Sequence, residues 1–73
     1  MDTIPGTMNV SDARANLTEV VNTVRLQDRT VRLMRRGTPQ AAVMPVDLLD
    51  LVEQAGGLDA VREVLRSHIK KSR

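Results

Sequence analysis

"SDARANLTEVVNTV", Ser11 to Val24, and "RTVRLMRRGTPQAAVMPVD", Arg29 to Asp47, are the two runs that decide the fold of this 73-residue chain. The first reads as one amphipathic helix. Ser11 is a good N-cap residue, and Asp12 and Ala13 suit a first turn. Apolar residues then recur at Ala13, Leu17, Val20, Val21 and Val24, the i, i+4, i+7, i+8, i+11 stripe of a helix with one buried face. Three valines lower its intrinsic propensity, so packing has to hold it. The helix is expected to end between Leu26 and Asp28. One residue is out of place on this reading: Arg14 falls in the first turn, where the helix dipole disfavours a cation.

The second run reads as a hairpin. Val31 and Leu33 share one face of its first strand, and Arg32 and Met34 the other. "RRGTP", Arg35 to Pro39, supplies the turn, with Gly37 free to adopt a positive φ. Gln40 to Met44 is the return strand, stopped by Pro45. Before the helix, Pro5-Gly6 breaks the chain and Thr7 to Val10 alternates as a short edge strand. After the hairpin, Asp47 can cap a helix carrying Leu48, Leu49, Leu51, Val52 and Ala55, closed by Gly56-Gly57. A last helix is expected from Leu58 to about Ile69, with Leu58, Val61, Leu65 and Ile69 along one side and a frayed end. The expected class is α+β: a short antiparallel or mixed sheet, an edge strand plus a hairpin, packed against helices.

Size limits such a fold. A chain this short buries only about 60% of its unfolded surface and is marginal alone. With no Cys, disulfides and thiolate metal sites are excluded; one His cannot make a metal site by itself, and neither metal nor cofactor is expected. Oligomerisation is the remaining device, so a homodimer is expected, with Leu17, Val20, Val21, Val24, Val31, Leu33 and Val43 as core and interface. The absence of Phe, Trp and Tyr removes the stacking platforms of single-strand nucleic-acid binders. No apolar run is long enough to span a membrane, and the first ten residues lack the pattern of a signal peptide, so no membrane and a cytoplasmic location are expected. Catalysis is not expected either. Asp12 and Glu19 have no matching base, Ser11, Ser67 and Ser72 lack a His–acid pair, and His68 lies among Arg66, Lys70 and Lys71 as a solvated side chain.

Charge placement is more informative than the net charge of +2. Arg25, Arg29, Arg32, Arg35 and Arg36 stand against one acid, Asp28, in twelve residues, and nine of the eleven basic residues are Arg. Arginine is suited to planar contacts with phosphate and guanine. Arg35 and Arg36 at a hairpin tip can reach a nucleic-acid groove, and Arg14 at a helix start lies beside backbone N–H groups that bind phosphate. The competing readings are Arg14 as a solvated residue or paired with an acid such as Asp12, and Arg35 and Arg36 as edge-strand charges that block aggregation.

The helix start "SDARANLTE" followed by "VRLMRRGTPQAAVMPVDLL" resembles the Phd/YefM family of antitoxins. The resemblance runs from Met8 to about Leu51, with both motifs in the family's order and spacing. It implies a small Phd/YefM-like dimer that binds a palindromic operator, represses its own promoter, and neutralises a cognate toxin, ribonuclease-like or kinase-like, through its C-terminal helices. The implied division is residues 1–46 for dimerisation and DNA binding and residues 47–73 for the toxin. Arg14 and Arg35 match DNA-contacting arginines of the family, and Asn16 matches an Asn expected to be structural. With the hairpin-tip and charge-cluster residues added, the expected DNA site is Arg14, Arg35, Arg36, Ser11 and Arg32, and the expected toxin surface is Leu48, Leu51, Val52, Val61, Leu65 and Ile69. The alternative is a stand-alone transcriptional regulator of the same fold without a toxin. It draws on the region from Asp47 onward, where five acids meet five bases and the last residues are basic.

Overall fold

The computed structural model describes residues 4–71, in the order β1 (Thr7–Asn9), α1 (Val10–Ala15), α2 (Leu17–Gln27), β2 (Val31–Arg35), β3 (Thr38–Val43), α3 (Val46–Gln54) and α4 (Leu58–Lys71). The expected α+β class holds, as three strands and four helices. The sheet runs β1-β2-β3 and is mixed: β1 pairs with β2 in parallel, and β2 with β3 antiparallel. A parallel pair needs a crossover, which α1 and α2 provide. The register is Thr7 with Arg32, Met8 with Leu33 and Asn9 with Met34, extended by the Arg32 N–H donating to the Gly6 carbonyl at 2.8 Å.

The single helix expected from Ser11 is two helices, broken at Asn16. Asn16 leaves the helical region (φ −122°, ψ 33°) and closes α1 with its own groups. Its Nδ2 donates to the Asp12 carbonyl at 2.9 Å, and its backbone N–H reaches the same carbonyl at 3.1 Å. Its carbonyl then accepts from Val20 N–H at 3.0 Å and opens α2. Asn side chains compete with the backbone for such bonds, and here that competition ends a helix. The start shifts too. Asn9, the last residue of β1, occupies the N-cap position without a side-chain cap bond, so Ser11 lies inside the first turn rather than capping it. At the far end Asp28 closes α2 in the left-handed region (φ 53°), within the expected boundary.

The break redirects the apolar stripe. Ala13, Val20 and Val24 are buried with Thr23, but Leu17 and Val21 are exposed. The core consists of Ile4, Ala13, Val20, Val24 and Val31, with Met8, Leu33 and Val43 packed against it. It holds no aromatic side chain, and only Val20 and Val31 are fully enclosed. Ile4 was not expected in the core; its place follows from the chain entering β1 beside α2, which no local pattern signals.

The hairpin turn is shorter than "RRGTP": Arg36 and Gly37 alone form it, both at positive φ (51° and 77°). That is the type I′ geometry whose twist matches the flanking strands. β3 starts at Thr38 and ends at Val43, with Pro39 tolerated because β3 is an edge strand. Leu33 pairs with Ala41 but Met34 with Pro39, so Gln40 is a bulged residue that bends the hairpin toward its tip. α3 begins at Val46 after Pro45, with Asp47 in its first turn rather than as its cap. It closes through a bond from Gly57 N–H to the Val52 carbonyl at 2.9 Å, with Gly56 and Gly57 both at positive φ.

Two stability measurements follow. Val31→Ala removes methyl groups from a fully enclosed site and should cost about 2 kcal/mol in urea unfolding, whereas Leu26→Ala at an exposed position should cost under about 0.5 kcal/mol. Arg36→Asn should raise stability by about 0.5–1 kcal/mol, because a left-handed turn position strains Arg and suits Asn.

Candidate nucleic-acid interface

The parallel pairing of Asn9 with Met34 brings the start of α1 beside the end of β2. An open groove of about 430 Å³ lies between them, lined by Asn9, Val10, Ser11 and Arg14 on one side and Met34, Arg35, Arg36 and Gly37 on the other. Four of the five residues expected at a DNA site, Ser11, Arg14, Arg35 and Arg36, thus share one concavity, and all four are exposed. Arg32 is exposed but does not line it. It alternates with Leu33 in the middle of β2, three residues short of Arg35, and its register partners are Thr7 and Ala42.

Arg14 reaches this groove for a different reason from the one its sequence position suggests. With α1 ending at Ala15, Arg14 lies in the last turn of a helix, where the dipole favours a cation. The apparent misplacement disappears, and with it the idea that Arg14 stands beside the free N–H groups of a long helix. What positions Arg14 is the Asn16 break, which also makes Arg14 the border of a second shallow hollow shared with Asn16, Leu17 and Thr18.

Among the described residues, the side chains of Arg14, Arg35 and Arg36 make no ion pair or hydrogen bond, and Arg14 does not pair with Asp12. Asp12 lines an adjoining hollow with Pro5, Thr7 and Met8, and Asn9 and Met34 border both. Three uncompensated guanidinium groups around one groove repel each other weakly in water and gain most from a multivalent anion.

The arginine-rich run does not stay together. β2 spans about 13 Å between its end Cα atoms and separates Arg35 and Arg36 at the tip from Arg25 and Arg29 at the other end. Arg25 instead donates to Asn22 Oδ1 at 3.5 Å and Arg29 to Gln27 Oε1 at 3.4 Å. Asn9, Val10, Met34 and Gly37 were not expected at the site; only the β1–β2 register, which is invisible in the sequence, reveals them.

No family model, curated protein or solved structure gives a significant match to this chain. No helix of the described residues is long and apolar enough to cross a membrane.

The expected toxin surface divides differently. Leu48, Leu51, Leu65 and Ile69 are exposed and Val61 half-buried, while Val52 is buried within the chain. Val46, Leu49, Leu58 and Val64 are exposed apolar residues beside them that the sequence reading left out of the surface.

A duplex-binding titration against salt tests the groove. Each phosphate contact adds about −0.9 to the slope of log K on log[salt]. Arg14→Ala, Arg35→Ala and Arg36→Ala combined should flatten the slope by nearly three per chain, and Arg25→Ala with Arg29→Ala should leave it nearly unchanged.

Proposed function

We propose that this chain is the antitoxin of a type II toxin–antitoxin system of the Phd/YefM kind: a dimeric, cytoplasmic autorepressor and binding protein rather than an enzyme. Residues 1–46 would dimerise and hold a palindromic operator, and residues 47–73 would mask a ribonuclease-like or kinase-like toxin. The observation that carries the proposal is the meeting of Ser11, Arg14, Arg35 and Arg36 in one groove, from two runs of sequence about twenty residues apart. Arg14 and Arg35 among them are the positions that the resemblance assigns to DNA contact.

The dimer draws on the apolar residues the core leaves out. Leu17 and Val21 lie one turn apart on α2, exposed, next to the buried Val20 and Val24. A two-fold copy would bury them and present two arginine grooves to two half-sites. The second function draws on α3 and α4, whose large apolar residues outnumber those they bury.

The test is binding to the DNA upstream of the chain's own gene. Arg14→Ala with Arg35→Ala should weaken operator binding by about 100-fold, from the loss of two charge-assisted contacts at 1–3 kcal/mol each, with unchanged unfolding. Equal binding by the double variant would overturn the site. Growth arrest by the product of the adjoining reading frame, relieved by co-expression of this chain, separates an antitoxin from a stand-alone regulator. The DNA-binding variant should still relieve it.

A further inference from the structure

Asn9 stands where β1 passes into α1, and its side chain is unused within the chain. It occupies the N-cap position but makes no cap bond, and among the described residues its amide makes no other hydrogen bond. Its register partner is Met34. Met8 and Leu33, one position earlier on each strand, pack against the core, so Asn9 and Met34 lie on the opposite face of the sheet. There they form the boundary between two hollows of opposite sign. On one side lies the groove of Arg14, Arg35 and Arg36, and on the other the hollow of Thr7 and Asp12. Asp12 is exposed, and its carboxylate is unpaired among the described residues.

That change of sign across one strand pair constrains what can lie there. A phosphate backbone is drawn to the arginines and repelled by Asp12, so it passes on one side of Asn9 only. A surface that meets both sides offers anionic oxygens to the arginines and neutral donors and acceptors to Asn9 and Asp12. Duplex DNA has this layout at the border of its major groove, where phosphates flank base edges. The major groove, about 12 Å wide, admits a two-stranded ribbon such as the β2–β3 tip, and the minor groove, about 6 Å wide, is too narrow for one.

We infer that Asn9 reads the adenine of an A·T pair in that major groove, with Val10 and Met34 against the thymine methyl. Adenine presents an N7 acceptor beside an N6 amino donor, and arginine, which only donates, cannot satisfy both. Asn9 is the one amide among the described residues that line the arginine groove; its Nδ2 can donate to N7 while its Oδ1 accepts from N6. Ser11, the groove's hydroxyl, bonds to any base and selects none. Val10 and Met34, half-buried, are the apolar side chains of the same groove. The inference rests on the operator binding proposed above and adds which base is read and by which residue.

The probe is the DNA upstream of the chain's own gene, with each base pair of the bound site exchanged in turn and binding read by fluorescence anisotropy at fixed salt. Asn9→Ala should lose about 10- to 100-fold of discrimination at one A·T pair in each half-site, with the salt slope unchanged because no charge is removed. At that pair 7-deazaadenine, which lacks the N7 acceptor, should weaken the unaltered chain and leave Asn9→Ala indifferent. Uracil in place of thymine should weaken the unaltered chain about fourfold, the worth of one buried methyl group. Asn9→Asp keeps the shape of the side chain but turns the donor facing N7 into an acceptor. It should move the preference at that pair from adenine to cytosine, whose N4 amino group a carboxylate accepts. Both variants should unfold in urea as the unaltered chain does, since the Asn9 side chain makes no bond within it. Specific binding with the same base preferences in all three proteins overturns the role of Asn9 and leaves the operator reading standing. Equal weakening on every duplex makes Asn9 a backbone contact and overturns the inference as well. Unchanged affinity for the uracil duplex overturns the part given to Val10 and Met34. No preference of the unaltered chain for the upstream DNA overturns both the inference and the operator reading.

Discussion

The parallel pairing of β1 with β2 is the interaction on which the rest of this structure depends. β1 has three residues, and its ladder, prolonged by Arg32 N–H to the Gly6 carbonyl, together with the burial of Ile4, fixes the chain ahead of α1. Because Asn9 faces Met34, the first turn of α1 lies beside the last residues of β2, and the crossover helices return over the sheet to bury Val20 and Val24 against Val31. Slipping that register by one residue would reverse the faces of β1 and carry Ser11 and Arg14 away from Arg35. The core and the basic groove are therefore two products of the same few hydrogen bonds.

That core is small for the surface it supports. A compact chain of 8.1 kDa exposes about 4,500 Å², and this one exposes 6063 Å². Its radius of gyration, 14.3 Å, exceeds the roughly 11 Å of a compact domain of 73 residues. The excess comes from α3 and α4, which pack mainly on each other and keep most of their leucines, valines and Ile69 in water. Val, Ala, Ile and Met without a single aromatic ring give little area per residue, so the sheet and α2 hold the first half of the chain and have nothing to spare for the second.

Of the two described residues other than glycine at positive φ, Asp28 ends α2 and Arg36 stands at the hairpin tip. Arg36 takes a left-handed conformation that Gly or Asn would adopt at lower cost, and Gln40 is bulged out of the ladder three residues after Gly37. Both features shape the hairpin tip, and together they set a guanidinium at the mouth of the groove. A sequence chosen for stability alone would place Asn-Gly there. Arg36 trades about 1 kcal/mol of turn preference for a cation at the tip, which is intelligible if the tip meets an anion.

Periodicity and turn chemistry in the sequence determined the α+β class, the presence of the hairpin, the end of α2 and the glycine-closed stop of α3, because each is decided by side chains within a few residues of one another. Composition determined that there is no disulfide and that the core is aliphatic. The tertiary structure decided the mixed sheet, the burial of Ile4, the exposure of Leu17 and Val21, and the separation of Arg25 and Arg29 from Arg35 and Arg36. It also settled Arg14, which is not a cation at the wrong end of a helix. Asn16 ends α1 two residues after it, through a side-chain bond that helix propensity does not encode. The motif showed which arginines stand out, but the groove they share depends on strand register, a long-range pairing that no local pattern carries.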